Sequence, residues 1–188
     1  MTPLRVLDSR RVYEGASWTL RLDTIQNGDD PPVQREVVEY PESTVIVPVT
    51  DRGTIVMVRQ FRHAAGEILL ELPAGKSEPG DASPEVSAQR ELREEAGYRA
   101  GRMIPMGGQW AAPGYSTEWM HRYLALDLSP DPLPEDVDED ILVEEHSLSS
   151  IPEMARSGEI RDMMSVATLM MAINLYACYL PAATTRGV

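Results

Sequence analysis

Apolar and polar residues alternate in short runs between Leu4 and Tyr40: first Leu4, Val6 and Leu7, then Arg11-Val12-Tyr13, then Trp18 to Asp23, then Gln34 to Tyr40. A period of two puts successive side chains on opposite faces, so these runs predict short antiparallel strands. The stretch Gln26-Asn27-Gly28-Asp29-Asp30-Pro31-Pro32 is turn chemistry, rich in residues that tolerate or enforce tight backbone angles. A sheet this small buries little by itself. Residues 1–40 are therefore expected to form an N-terminal antiparallel sheet that packs on another surface, such as a second subunit, with residues 41–188 forming the main domain.

The pattern changes at Thr44-Val45-Ile46-Val47-Pro48-Val49 and, after a turn at Asp51-Arg52-Gly53, at Thr54 to Phe61. Both runs are apolar at nearly every position, as strands of one core sheet buried on two faces would be. A strand from Glu67 to Leu72 leads into a turn at Pro73-Ala74-Gly75. After a loop from Lys76 to Ala82, the run Ser83-Pro84-Glu85 predicts a helix start: Ser as N-cap, Pro at the first position, an acid in the first turn. The helix extends to Ala96, and Gly97 stands where a left-handed glycine closes a helix.

A strand pair at about 102–107 and 118–127 follows, around Ala111-Ala112-Pro113-Gly114-Tyr115-Ser116. Residues 129–140 carry three prolines and an acidic run and predict a mobile loop. A strand from Ile141 to Glu145, a helix from Leu148 to Arg156, a break at Gly158 and a last helix from Asp162 to Tyr179 complete the chain. The fold class is α/β in the wide sense, α+β included.

A chain of 188 residues, 43% hydrophobic and 25% charged, suits one globular core with an appendage. The formal net charge of −13 argues against nucleic-acid coating, which draws its affinity from Lys and Arg neutralising phosphates. A phosphate-bearing substrate would instead need a divalent cation and a few placed arginines. Cys178, the one cysteine, lies in an apolar run and reads as a buried, inert thiol. Neither a signal peptide nor a membrane-spanning run is read, so the cytoplasm is the expected compartment.

The predicted helix poses a charge problem. Glu91, Glu94 and Glu95 stand at i, i+3 and i+4, so their carboxylates share one stripe and repel. Arg90, four residues before Glu94, offsets part of this, and a hard cation with oxygen ligands can offset the rest. Ala88, Leu92 and Ala96 form a neighbouring apolar face suited to packing on the sheet. The alternative for the acids is a solvated charged face.

Gly75, five residues, Asp81, and then Arg90-Glu91-Leu92-x-Glu94-Glu95-x-Gly97-Tyr98 resemble the signature of the Nudix hydrolases, G-x5-E-x7-R-E-U-x-E-E-x-G-U. The first acid is Asp rather than Glu, and the loop is one residue longer, which leaves Asp81 or Ala82 at that position. The resemblance implies a Nudix fold, with a mixed β-sheet sandwiched between helices, and hydrolysis of a nucleoside diphosphate linked to another moiety. It implies Mg2+, with Mn2+ possible in its place, held by Glu91, Glu94, Glu95 and the carbonyl of Ala74, with Arg90 orienting the carboxylates.

Val58 to Arg62, Glu71 to Gly75, Ala112 to Ser116 and Gly158 to Asp162 are similar to the ADP-ribose and ADP-sugar pyrophosphatase branch, which has a proline where this chain has Pro113. That resemblance implies a homodimer exchanging N-terminal strands and a nucleoside diphosphate sugar as substrate. It makes Arg62, Arg59 and Pro113 candidates for substrate contacts, Glu71 a candidate for the metal or substrate site, and Arg35 and Glu36 candidates for reaching the other subunit's nucleotide. A general base on a late loop is also implied: Glu139 first, next to the strand at Ile141, and Glu135 second. The most direct reading is cleavage of ADP-ribose to AMP and ribose 5-phosphate. GDP-mannose, flavin or dinucleoside substrates and a non-catalytic nucleotide-binding module are the alternatives. The intact glutamates, Glu91, Glu94 and Glu95, favour an enzyme.

Overall fold

The computed structural model describes residues 4–134 and 140–181. Two compact units emerge, one of residues 1–42 and 109–120, the other of residues 43–108 and 121–188.

In the first unit, β1 (Arg5–Glu14), β2 (Thr19–Gln26) and β3 (Val33–Glu39) form an antiparallel sheet in the order β1-β2-β3. The two runs read separately at Leu4–Leu7 and Arg11–Tyr13 are one strand, kept continuous by register shifts between Val6 and Asp8 and between Arg11 and Tyr13. A bulge absorbs the break in alternation without ending the ladder. Arg21 bridges Asp23 and Glu39, and its guanidinium holds both carboxyls below their usual range. Residues 109–120 join this unit through the amide of Val38, which donates to the Tyr115 carbonyl, and the amide of Thr117, which donates to the Val38 carbonyl.

The second unit contains β4 (Ser43–Pro48), β5 (Thr54–Arg62), β6 (Glu67–Glu71), β7 (Ala74–Lys76), α1 (Pro84–Glu95), β8 (Tyr98–Trp110), β9 (Trp119–Pro130), β10 (Leu142–Ser147), α2 (Ile151–Ser157) and α3 (Met163–Leu175), with the tips of β8 and β9 belonging to the first unit. These strands make two sheets, ordered β10-β5-β6 and β7-β4-β9-β8. The two central strands expected in a single core sheet thus separate. Each is flanked by its own partners, and one isolated bridge, Val49 to Ile55, links them across the turn. Every residue of β4 is buried, as its unbroken apolar pattern requires.

The helix α1 starts and stops where its residues dictate. Ser83 accepts the Val86 amide as N-cap, Pro84 follows, and Gly97 has φ of 74°. Ala88, Leu92 and Ala96 pack with Ile46, Val56, Tyr123 and Ala125 in a shared apolar core.

The C-terminal region departs from expectation. α2 begins at Ile151 rather than Leu148, because the Ser150 hydroxyl bonds the Ser147 carbonyl and holds a turn there. α3 ends at Leu175, where the Asn174 side chain takes the Met170 carbonyl, and a 3-10 turn at Ala177–Tyr179 follows. Cys178 lies in that turn and is exposed, which corrects the reading of a buried thiol. Among the described residues, no helix is long and apolar enough to cross a membrane.

Candidate functional site

The acid-bearing face of α1 is a buried face. Ser87, Ala88, Glu91, Leu92 and Glu95 are its buried residues, with Glu91 8% and Glu95 4% exposed. A solvated charged stripe is thereby excluded for these two glutamates. Burying carboxylates is costly unless they are paired and hydrogen-bonded.

Their surroundings show how that cost is met. Glu95 Oε2 accepts the backbone N–H of Ala74 at 2.9 Å. Glu91 lies against Gly75 so closely that a Cβ on that residue would overlap its carboxylate. Only glycine lets strand and helix approach this far. Arg90 Nη1 reaches Glu91 at 3.0 Å and Glu94 at 2.7 Å, while Nη2 donates to the Lys76 carbonyl at 2.9 Å and to Asp81 at 3.1 Å. Burial works against the Arg90 charge, yet Asp81, Glu91 and Glu94 outweigh it and hold its pKa above the ordinary arginine value.

Asp81 resolves the choice that the longer loop left open. Its carboxylate binds Arg90 and accepts the Glu78 amide at 2.9 Å, so it, and not Ala82, fastens the loop to α1. Burial acts to raise the Asp81 pKa, but Arg90 and the Glu78 amide hold it below the usual carboxylate range.

Asp81, Glu91 and Glu94 therefore share one guanidinium, and Glu95 adds a fourth carboxylate that is held by the Ala74 amide instead. The surplus of negative charge, with only oxygen donors at hand, fits a hard divalent cation. Among the described residues, no three His, Cys, Asp or Glu side chains converge on a common point. Glu94 is turned to Arg90, and Glu95 to the Ala74 amide.

A second charged pair borders the same strand segment. Glu71, 5% exposed, accepts a hydrogen bond from Arg62 Nε at 2.8 Å. Burial pushes the Glu71 carboxyl up, with Asp162 adding to the shift and Arg62 opposing it. Arg59 is occupied elsewhere: its Nε donates to Glu144 on β10 at 2.6 Å, the ion-pair role ordinary for an arginine near a strand end. Arg59 and Arg62 stand three positions apart on β5, an odd spacing that puts them on opposite faces of the strand.

The remaining predicted residues are dispersed. Arg35 and Glu36 are exposed on β3, where Arg35 donates to the Gln34 carbonyl, and Pro113 is exposed in the turn between β8 and β9. An open cavity of about 420 Å3 lies in the first unit, walled by Arg11, Trp18, Glu39, Tyr40 and Thr117, and none of the predicted site residues lines it. Glu135 and Glu139 lie outside the described residues.

Ser165, which sequence reasoning missed, joins Asp162, which it placed at the start of the last helix. Ser165 Oγ accepts the backbone N–H of Leu72 at 2.8 Å and donates to Asp162 Oδ2 at 2.7 Å. The signal was present as Asp-x-x-Ser at a helix start, a capping pattern, but its target could not be read from it.

Comparison with known proteins is consistent with this architecture. The NUDIX domain matches residues 40–164. The chain is 32% identical over 160 residues to the ADP-ribose pyrophosphatase of Bacillus subtilis (strain 168), covering 84% of this chain and 86% of that one. It is 34% identical over 156 residues to the GDP-mannose pyrophosphatase of Salmonella arizonae (strain ATCC BAA-731 / CDC346-86 / RSK2980), covering 78% and 81% respectively. A solved structure described as an ADP compounds hydrolase superposes with a TM-score of 0.85 at 21% identity, covering 95% of this chain and 97% of that one, which shows a common fold.

Proposed function

We propose an activity from one premise: the chain belongs to the NUDIX domain family and is a Nudix hydrolase. The activity is hydrolysis of the diphosphate of a nucleoside diphosphate sugar, with ADP-ribose as first substrate. Water adds to one phosphorus, the P–O–P bridge breaks, and AMP and ribose 5-phosphate leave. The observation that carries this reading is the buried pair Glu91 and Glu95 set against Gly75 and Ala74, with one arginine among four acids. The similarity to an ADP-ribose pyrophosphatase over most of the chain supports the choice of substrate.

Glu91, Glu94, Glu95 and the carbonyl of Ala74 would hold Mg2+, or Mn2+ in its place. When bound, the ion supplies positive charge that draws electron density from the diphosphate and lowers the pKa of water. Arg90 keeps the carboxylates apart and oriented, as its bonds to Glu91 and Glu94 suggest. Arg62, braced by Glu71, contributes the positive charge that an anionic substrate needs on an acidic protein. Glu139, or failing it Glu135, takes the proton of the attacking water. Arg35 and Glu36 serve the nucleotide of a partner subunit in a homodimer. In support, β1 leaves Val6, Leu7, Val12 and Tyr13 exposed, an apolar strand that a second copy would cover.

The test is a panel of ADP-ribose, other ADP-sugars, GDP-mannose, a flavin dinucleotide and a dinucleoside polyphosphate, each with Mg2+ and with Mn2+, reading released phosphomonoester. ADP-ribose is expected to have the highest kcat/KM. A higher value for GDP-mannose would replace the substrate, and no phosphomonoester from any compound would leave a binding module.

A further inference from the structure

Between the end of β6 at Glu71 and the start of β7 at Ala74, the chain runs through Leu72 and Pro73 outside both strand ladders. Its backbone groups are buried and need partners from elsewhere. Three elements supply them. The Pro73 carbonyl accepts the Ile46 amide of β4 at 2.9 Å, the Ala74 amide donates to Glu95 of α1 at 2.9 Å, and the Leu72 amide donates to Ser165 of α3 at 2.8 Å.

The third tie is the built one. Ser165 is 1% exposed, and its hydroxyl can face Leu72 with a lone pair only if its proton points elsewhere. The Ser165 hydroxyl donates to Asp162 Oδ2 at 2.7 Å, and the same oxygen accepts the Ser165 amide at 2.8 Å as helix N-cap. One carboxylate thus starts the helix and aims the hydroxyl.

We infer that Asp162 and Ser165 are positioning residues: through the Leu72 amide they set the backbone that presents Ala74 to Glu95 and Gly75 to Glu91. The inference rests on the proposed cation site and adds to it a brace from a helix that supplies none of the ligands. Removing the brace lets Leu72–Ala74 shift, and the Ala74 carbonyl and the Glu95 carboxylate lose their common geometry.

The experiment is Mn2+ binding followed by electron paramagnetic resonance, together with amide hydrogen exchange over residues 70–76. Ser165→Ala is expected to weaken Mn2+ binding at least five-fold and to speed exchange in the segment. Asp162→Asn keeps an acceptor of equal capping strength and is expected to bind within two-fold of wild type. Ile151→Val, a buried change on α2, is expected to lower Tm and to leave Mn2+ binding unchanged. Should Ser165→Ala not fold, Ser165→Cys, with a weaker acceptor, carries the same comparison and is expected to bind more weakly than wild type.

Mn2+ binding by the folded Ser165 variant within two-fold of wild type would overturn the inference. So would an equal loss in Ile151→Val, which would make the effect one of general stability. A wild-type protein that binds no Mn2+ would remove the metal-dependent reading and the inference with it. A wild type that binds Mn2+ but cleaves no nucleotide sugar would remove only the substrate.

Discussion

Glu95 Oε2 accepts the backbone N–H of Ala74 at 2.9 Å, tying the last turn of α1 to the strand that enters the glycine loop. A carboxylate used this way keeps its negative charge, which is what a hard cation requires of it. Glu95→Gln keeps an acceptor for the amide but removes the charge. It is expected to fold with an unchanged circular dichroism spectrum and to lose on the order of 10^2-fold or more in kcat, the scale on which charge stabilisation at a phosphoryl centre acts. Turnover of ADP-ribose at the wild-type rate in this variant would sink the mechanism.

Gly75 faces the Glu91 carboxylate with no room for a methyl group. Gly75→Ala forces either the strand or Glu91 to move, and overpacking of this kind typically costs about 1–3 kcal/mol. A lowered urea midpoint together with weaker Mn2+ binding is expected. A variant as stable as wild type, with unaltered Mn2+ affinity, would show that the close approach is unimportant.

The Asp81 carboxyl is held below its usual range in the folded protein, chiefly by Arg90 acting against burial. For an acid with a depressed folded pKa, the stabilisation is complete above the unfolded value, about 3.9, and is lost as pH falls through the lower folded value. Urea unfolding from about pH 6 down to about pH 3 should therefore show wild-type stability falling more steeply than that of Asp81→Asn below about pH 4. Parallel curves would contradict the assignment of Asp81 as the loop clamp.

Arg122 on β9 is 4% exposed, and its Nε has no hydrogen-bond partner. The guanidinium lies against Met171 Sδ, and among the described residues no carboxylate pairs with it. Burial holds its pKa below the ordinary arginine value. Replacing a poorly compensated buried charge by an apolar side chain of similar length is often stabilising, by about 1–4 kcal/mol. Arg122→Met is expected to raise Tm, measured by calorimetry. A lowered Tm would contradict the reading of Arg122 as a poorly compensated buried charge.

Much of this molecule is written in local signals. Ser83, Pro84 and Gly97 mark the ends of α1, because caps and left-handed glycines act within a few residues of where they stand. The spacing of Glu91, Glu94 and Glu95 puts them on one stripe for the same reason, and Arg90 at i−4 from Glu94 makes the ion pair that the spacing predicts. The strands of the N-terminal unit follow from alternation, although the bulges that merge two runs into β1 do not.

What needed tertiary structure is what depends on residues far apart in the chain. Whether Glu91 and Glu95 are solvated or buried is decided by how closely β7 meets α1, which no helix pattern contains. Asp81 was separated from Ala82 by the reach of Arg90 across the loop, and Arg59 was drawn to Glu144 by the pairing of β5 with β10. Their nearly unbroken apolar runs gave β4 and β5 the same buried character but could not assign them to different sheets. Ser165 reached the Leu72 amide across 93 positions. The acid stripe was legible because a helix repeats every few residues; the groups that hold it in place were not, because a hydrogen bond depends on distance in space and not on distance along the chain.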